Sequence, residues 1–317
     1  WNAPVNNTAN SIVGLVIVTP TIGNACAGVN DTIVVTIYPT PQITNAVLQQ
    51  TLCEGTASSP VNITSNLAGS TLSWSFATAG GGLSGHPIGN GNNPIPSITF
   101  SNNLATQQTA QYTLSASSVH QCQSAPVTYT FNVNPIPNLN NPGGQTVCSG
   151  IPTVPASFTA DVQGTNFTWT AITPPAGLTG FTASGSGTMG AMTIINSTAN
   201  PLQLVYSVTP SAAGCSGNPL NYTITVNPSP TVVFSTGNQT ICSGATTALV
   251  NLTSTTNNAT ISWNASVPGG IQGVNTLSGS TQIPAFTLTN NTQGNLTATF
   301  TAIASTAGGT VCPGVAA

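Results

Sequence analysis

Gln145-Thr146-Val147-Cys148-Ser149-Gly150 leads, 21 residues past its cysteine, into Phe167-Thr168-Trp169-Thr170-Ala171. The second piece alternates apolar and polar side chains, the pattern of a strand with one buried face. Both pieces recur. Leu52-Cys53-Glu54-Gly55 precedes Trp74, and Ile241-Cys242-Ser243-Gly244 precedes Trp263, by the same 21 residues, so the chain repeats with a period of about 95. A second cysteine closes each unit at Cys122, Cys215 and Cys312, and Cys26 holds that position in a truncated unit upstream. A strand and a Pro-x-Pro then end the unit, at Pro39-Thr40-Pro41, Pro135-Ile136-Pro137 and Pro228-Ser229-Pro230. Four features in phase over two or more periods identify tandem domains.

The boundaries follow from that phase. Residues 1–40 are the C-terminal part of a truncated repeat, 41–136 and 137–229 are complete repeats, and 230–317 is a repeat lacking its last strand. A unit of this length buries a core of its own. Its closing strand carries Ile33, Val35 and Ile37 in the first repeat, Tyr129, Phe131 and Val133 in the second, and Tyr222, Ile224 and Val226 in the third. Trp74, Trp169 and Trp263 alternate with apolar neighbours and are expected in the cores rather than in a glycan-stacking surface. About seven such strands per unit predict an all-β fold of tandem antiparallel β-sandwich domains. The Pro-x-Pro pairs fix φ and lack N–H donors, so they make short, stiff linkers.

Composition removes most chemistry. The chain has no lysine and no arginine, and its only acids are Asp31, Glu54 and Asp161, where an ordinary domain of this size has about 79 charged residues. Without lysine there is no P-loop or Schiff base, and without arginine no phosphate clamp. Nucleic acid and anionic membrane surfaces find no basic patch. No run of eighteen apolar residues is present, so no direct membrane insertion is expected. The first residue is Trp1 rather than Met, and the sequence reads as a section of something longer.

Seven cysteines in a chain of this kind point to disulfides. Pairing within repeats joins Cys53–Cys122, Cys148–Cys215 and Cys242–Cys312, and leaves Cys26 for a cysteine outside the chain. Pairing between adjacent repeats joins Cys26–Cys53, Cys122–Cys148 and Cys215–Cys242. Spacing slightly favours the second. Geometry favours the first, if each cysteine opens a strand and the first and last strands of a sandwich run parallel, so that the two cysteines meet. The within-repeat set is therefore the expected one.

No CxxC pair and no suitable histidine exist for a zinc site, and three scattered acids do not make a calcium site. No metal and no cofactor is expected. His86 and His120 have no counterparts in the other repeats and read as exposed loop residues, with no serine–carboxylate pair to make a triad. Cys122-Gln123 has the residues of an internal thioester, but Ala27, Ser216 and Pro313 replace the glutamine elsewhere. No catalytic residue emerges, and an enzyme is not expected.

The Cys…Trp…Cys order resembles that of immunoglobulin domains, with a later tryptophan and a second cysteine beyond the tyrosine strand. The lead-in Gln145-Thr146-Val147 and the closure Thr225-Val226-Asn227-Pro228-Ser229-Pro230 are similar to the PKD-like and Ig-like repeats of giant secreted surface adhesins of Bacteroidota. That resemblance covers the whole chain as repeat architecture. It implies an extracellular or cell-surface location, commonly reached by the type IX route, and roles in adhesion, gliding or biofilm. Asp31-Thr32-Ile33 resembles the O-glycosylation motif of the same phylum, which marks Thr32. The function expected is a structural stalk or fibre section of a long adhesin. The alternative is a filament or sheath subunit that polymerises by strand exchange between its partial terminal repeats. Expected partners are other copies or further repeats of the chain, and glycans or host and substratum surfaces met through loops such as Ala79-Gly80-Gly81-Gly82.

Overall fold

A computed structural model of the chain describes residues 5–23, 26–306, 311–314 and 316. Among these every regular element is a strand. The composition accounts for this: β-branched residues abound, and the helix formers Glu, Lys and Arg are nearly missing.

The second repeat holds a five-stranded sheet. In spatial order its strands are Gln49–Cys53, Val127–Asn134, Gln108–Ser117, Thr71–Ala79 and Asn90–Asn92. The tyrosine strand Gln108–Ser117 is central, and burial alternates along it: Ala110, Tyr112, Leu114 and Ala116 face inward and are fully buried. Trp74 pairs with Leu114, and Tyr129 with Tyr112. Opposite this face lie Val61, Ile63, Ile95, Ile98 and Phe100, carried by shorter bridged segments. These two layers enclose one hydrophobic core, which makes the unit a β-sandwich.

The third repeat repeats the plan. Its sheet runs Gly144–Cys148, Leu220–Asn227, Leu202–Ala212, Asn166–Ile172 and Ser184–Ser186, and Cys215–Ser216 folds back on the end of Leu202–Ala212. Trp169, Leu204, Tyr206 and Ile224 lie in its core. In the fourth, Ala259–Ser266 pairs with Thr299–Thr306, and Trp263 is buried with Phe286, Ala302 and Ala304. There the segment leading to Cys242 forms no strand. Its counterparts pair in parallel with a closing strand, and the fourth repeat has none among the described residues. The first repeat contributes the hairpin of Ile12–Val18 with Asp31–Ile37.

One device recurs beneath each indole. Gly91, Gly185 and Gly279 sit directly across from Trp74, Trp169 and Trp263. A Cβ at any of the three would run into the ring, so glycine is what lets the neighbouring strand close over the tryptophan.

Long-range contacts divide the chain into two compact units that do not follow the repeats. The first is Trp1–Pro137 with Asp161–Gly164 and Ser211–Ser216. The second is Asn138–Ala160, Thr165–Pro210 and Gly217–Ala317.

The buried tyrosines set an alkaline limit. Burial pushes the phenols of Tyr112 and Tyr206 up to about 12 and raises those of Tyr129 and Tyr222, the last against a lowering hydrogen bond from Gln145. The Tyr112 and Tyr206 hydroxyls donate to the carbonyls of Pro87 and Thr182, bonds that ionisation removes. The folded state thus holds protons that the unfolded chain gives up near pH 10. Stability is full below pH 10 and falls between 10 and 12, by up to about 1.4 kcal/mol per pH unit for each of Tyr112 and Tyr206. Denaturant titrations from pH 8 to 12 should show that decline. A flat profile would contradict it.

Candidate functional site: the disulfide-linked repeat junctions

Cys-x-Gly is a turn. After Cys53 the chain reverses through Gly55, whose φ is +70°, and the Thr56 N–H donates to the Cys53 carbonyl at 3.2 Å. Gly150 and Gly244 repeat this at +82° and +87°, a conformation open to glycine. The middle residue is an acceptor. Glu54 Oε2, Ser149 Oγ and Ser243 Oγ take the backbone N–H of Asn102, Asn196 and Asn290 at 3.0, 2.9 and 3.0 Å. Glu54, the acid of the second repeat, is therefore occupied as a local backbone acceptor.

The turn puts Cys53 at the end of its strand, beside Asn134 at the end of the parallel closing strand. Cys148 likewise lies beside Asn227. The closing cysteines precede the closing strand and so sit at its other end. Eight residues of Val127–Asn134 at about 3.3 Å each put more than 20 Å between Cys53 and Cys122. This overturns the within-repeat pairings Cys53–Cys122, Cys148–Cys215 and Cys242–Cys312. The structure instead joins Cys53 to Cys215, with Cα atoms 5.6 Å apart, and Cys148 to Cys312, 5.5 Å apart. Each bond links the opening turn of one repeat to the closing hairpin of the next. Cys26, Cys122 and Cys242 are free thiols.

Each bond lies inside one compact unit and is flanked by further contacts. In the first unit, Asn134 Nδ2 donates to the Ala213 carbonyl at 3.0 Å, at the tip of the hairpin that carries Cys215. In the second, Asn257 donates through its backbone to the Ala199 carbonyl and through Nδ2 to Asn200 Oδ1 at 2.9 Å. The junction between the first two repeats has no disulfide. There Tyr38 stacks on His120 at 3.6 Å between ring centroids, and the Thr40 N–H donates to the Asn6 carbonyl. Both prolines of each Pro-x-Pro are buried, so these joints are packed.

An asparagine anchors every repeat, and sequence reasoning missed it. Nδ2 of Asn196 donates to the carbonyls of Asn200 and Val226, both at 2.8 Å. Asn102 does the same to Thr106 and Val133, and Asn6 to Asn10 and Ile37. Asn290 bonds Gly294. These residues stand 94 to 96 positions apart, a signal lost among many asparagines. Asn196→Ala should destabilise the third repeat by about 2 kcal/mol, since it removes both hydrogen bonds of the buried amide to the carbonyls of Asn200 and Val226. Chemical denaturation would check this, and a change under 0.5 kcal/mol (~) would refute it.

The two histidines differ. His120 is exposed, stacked on Tyr38. His86 corrects the expectation of an exposed loop residue: it is half-buried, stacked on Phe76 at 4.9 Å, with Nδ1 buried and unpartnered. Aligning Gly85 with Gly180 and Gly273 places His86 where the other repeats have Phe181 and Val274, both packed against their cores. His86→Phe should therefore stabilise the second repeat, by about 1 kcal/mol, by removing a buried unpaired polar atom. A lowered melting temperature would count against that reading.

No cluster among the described residues has three metal-ligating side chains. The cleft beside Tyr38 and His120, about 230 Å3, is lined by Ala9, Pro39, Leu67 and Val119 among others. Asn10, Ser11 and Ser118 line it as well. Asp31 Oδ1 accepts the N–H of exposed Thr32 at 2.8 Å. Trp74, Trp169 and Trp263 are all buried.

A profile of the PKD-like domain family matches residues 50–137 and 145–230, more than half of the chain. No curated protein matches it in sequence. Among solved structures, mouse cadherin-23 EC22-24 is similar at 13% identity over 87% of this chain and 96% of that one, with a TM-score of 0.40. The I-band fragment I67-I69 from titin gives 13%, 86%, 96% and 0.40 in the same order. The human desmocollin-1 ectodomain gives 11%, 97%, 63% and 0.25.

Proposed function

The chain belongs to the PKD-like domain family, and from that premise we propose that it is a load-bearing section of a long multi-repeat extracellular protein, the stalk or fibre of an adhesin. The observation that carries this reading is the pairing Cys53–Cys215 and Cys148–Cys312. Bonds that tie the second repeat to the third and the third to the fourth add nothing to a binding pocket. They do resist separation of domains in series. They also call for an oxidising compartment, which supports a place outside the cytoplasm. The lead-in to Cys148 and the closure ending at Pro230 support the finer reading, a giant Bacteroidota surface adhesin exported by the type IX route and acting in adhesion, gliding or biofilm.

Further repeats of the same polypeptide are the first partners in this reading, with glycans or a substratum at a distal tip. The test is location. An antibody to this section should label intact cells, and the antigen should resist trypsin, which has no site here. Labelling only after lysis would overturn the proposal.

A second reading, a self-assembling filament or sheath, draws on one feature. The hairpin of Ile12–Val18 and Asp31–Ile37 exposes Leu15, Val16, Ile17 and Val34, which a second copy would bury. Light scattering of the purified chain separates the two: polymers favour the filament, monomers the stalk.

A further inference from the structure

The three free thiols occupy the same places as the bonded ones. Cys242 is an opening cysteine like Cys53 and Cys148, and its turn is already formed: the Ala245 N–H donates to the Cys242 carbonyl at 3.0 Å, as Ile151 does to Cys148. Cys122 is a closing cysteine like Cys215 and Cys312. Its N–H donates to Ser118 Oγ at 3.1 Å, and the Ser118 N–H returns to its carbonyl at 3.0 Å. Cys312, which is bonded, has the same pair of bonds with Thr306 at 2.8 and 3.1 Å. Cys26 and Cys242 are exposed and Cys122 is half-buried. In both observed bonds an opening cysteine takes the closing cysteine 162 or 164 residues further on. By that rule Cys26 and Cys122 each await an opening cysteine, and Cys242 awaits a closing one.

We propose that Cys242 is a crosslinking site whose partner is the closing cysteine of a following PKD-like repeat, and that Cys122 is the complementary site for the opening cysteine of a preceding one. The same polypeptide or a second copy of this chain would supply that repeat. The bond forms by two exchanges with a disulfide oxidant such as oxidised glutathione. One protein thiolate attacks the oxidant and displaces a glutathione thiolate. The second protein thiolate then displaces the other, so two protein thiols lose their hydrogens and one oxidant disulfide becomes two thiols.

Two arms test this. The purified chain is oxidised in a glutathione buffer, digested with pepsin without reduction and mapped by mass spectrometry. Expected are covalent dimers joining Cys242 of one copy to Cys122 or Cys26 of the other. Cys242→Ser should abolish them while the Cys53–Cys215 and Cys148–Cys312 peptides persist as proof of folding. In parallel, the protein isolated from its source is mapped for the partner of Cys242. A cysteine of the same polypeptide, with no change of intact mass class on reduction, assigns the downstream repeat. A halved mass assigns a second copy. Cys242 bonded to another opening cysteine, or free in both arms, overturns the proposal.

Discussion

Stretched between Cys53 and Cys312, the oxidised chain is expected to stop lengthening at about 230 Å, against about 900 Å after reduction. Reduced, all 259 residues between these points can be drawn out. Oxidised, the shortest covalent route crosses the Cys53–Cys215 bond, runs back through the 67 residues to Cys148 and leaves by Cys312. That route is the third repeat alone, so the segments from Cys53 to Cys148 and from Cys215 to Cys312 remain slack at full extension. Within-repeat bonds would have hidden length in every domain and left the domains in simple series. Single-molecule pulling with and without reductant measures the difference. Equal final lengths in the two conditions would remove the basis for the load-bearing reading.

Reduction should also cost stability, by roughly 5 kcal/mol for each bond in the chain-entropy account. The loops closed span 162 and 164 residues, more than twice those of within-repeat bonds, and restriction of the unfolded chain grows with loop length. Each loop reaches across a repeat boundary, so oxidised neighbours should melt together and reduced ones separately. Calorimetry would show one broad cooperative transition splitting and moving down in temperature. Cys122→Ser is the control and should leave the melt of the oxidised monomer unchanged, because Cys122 takes part in neither bond. No loss on reduction would contradict the account.

How far the sequence could be read depended on the kind of signal. Period-two alternation is local, so Tyr129, Phe131 and Val133 announced an inward face without reference to anything distant. Fixed phase found the cysteines and the tryptophans for the same reason. Phase could not choose among cysteine pairings, however, because in a periodic chain every pairing of equivalent positions has constant spacing. The choice turned on whether Cys53 begins or ends its strand. A strand boundary displaced by five residues puts it at the wrong end of the sandwich. Asn196 and its equivalents escaped notice because their role depends on Val226, thirty residues away in sequence, and because asparagine is common throughout. The place of His86 was open to reading through Phe181 and Val274, once Gly85 served as the alignment point.

The two crossing disulfides have a consequence for damage. Between the cystine at Cys53 and Cys215 and the cystine at Cys148 and Cys312 run three separate stretches of backbone, 53–148, 148–215 and 215–312. A single peptide-bond cleavage in any one of them leaves the other two intact, and a second cut in a different stretch still leaves one. A protein with this wiring tolerates nicking by proteases as a rope tolerates a broken strand. The ends part only when all three stretches are severed, or when a nicked chain also has its cystines reduced.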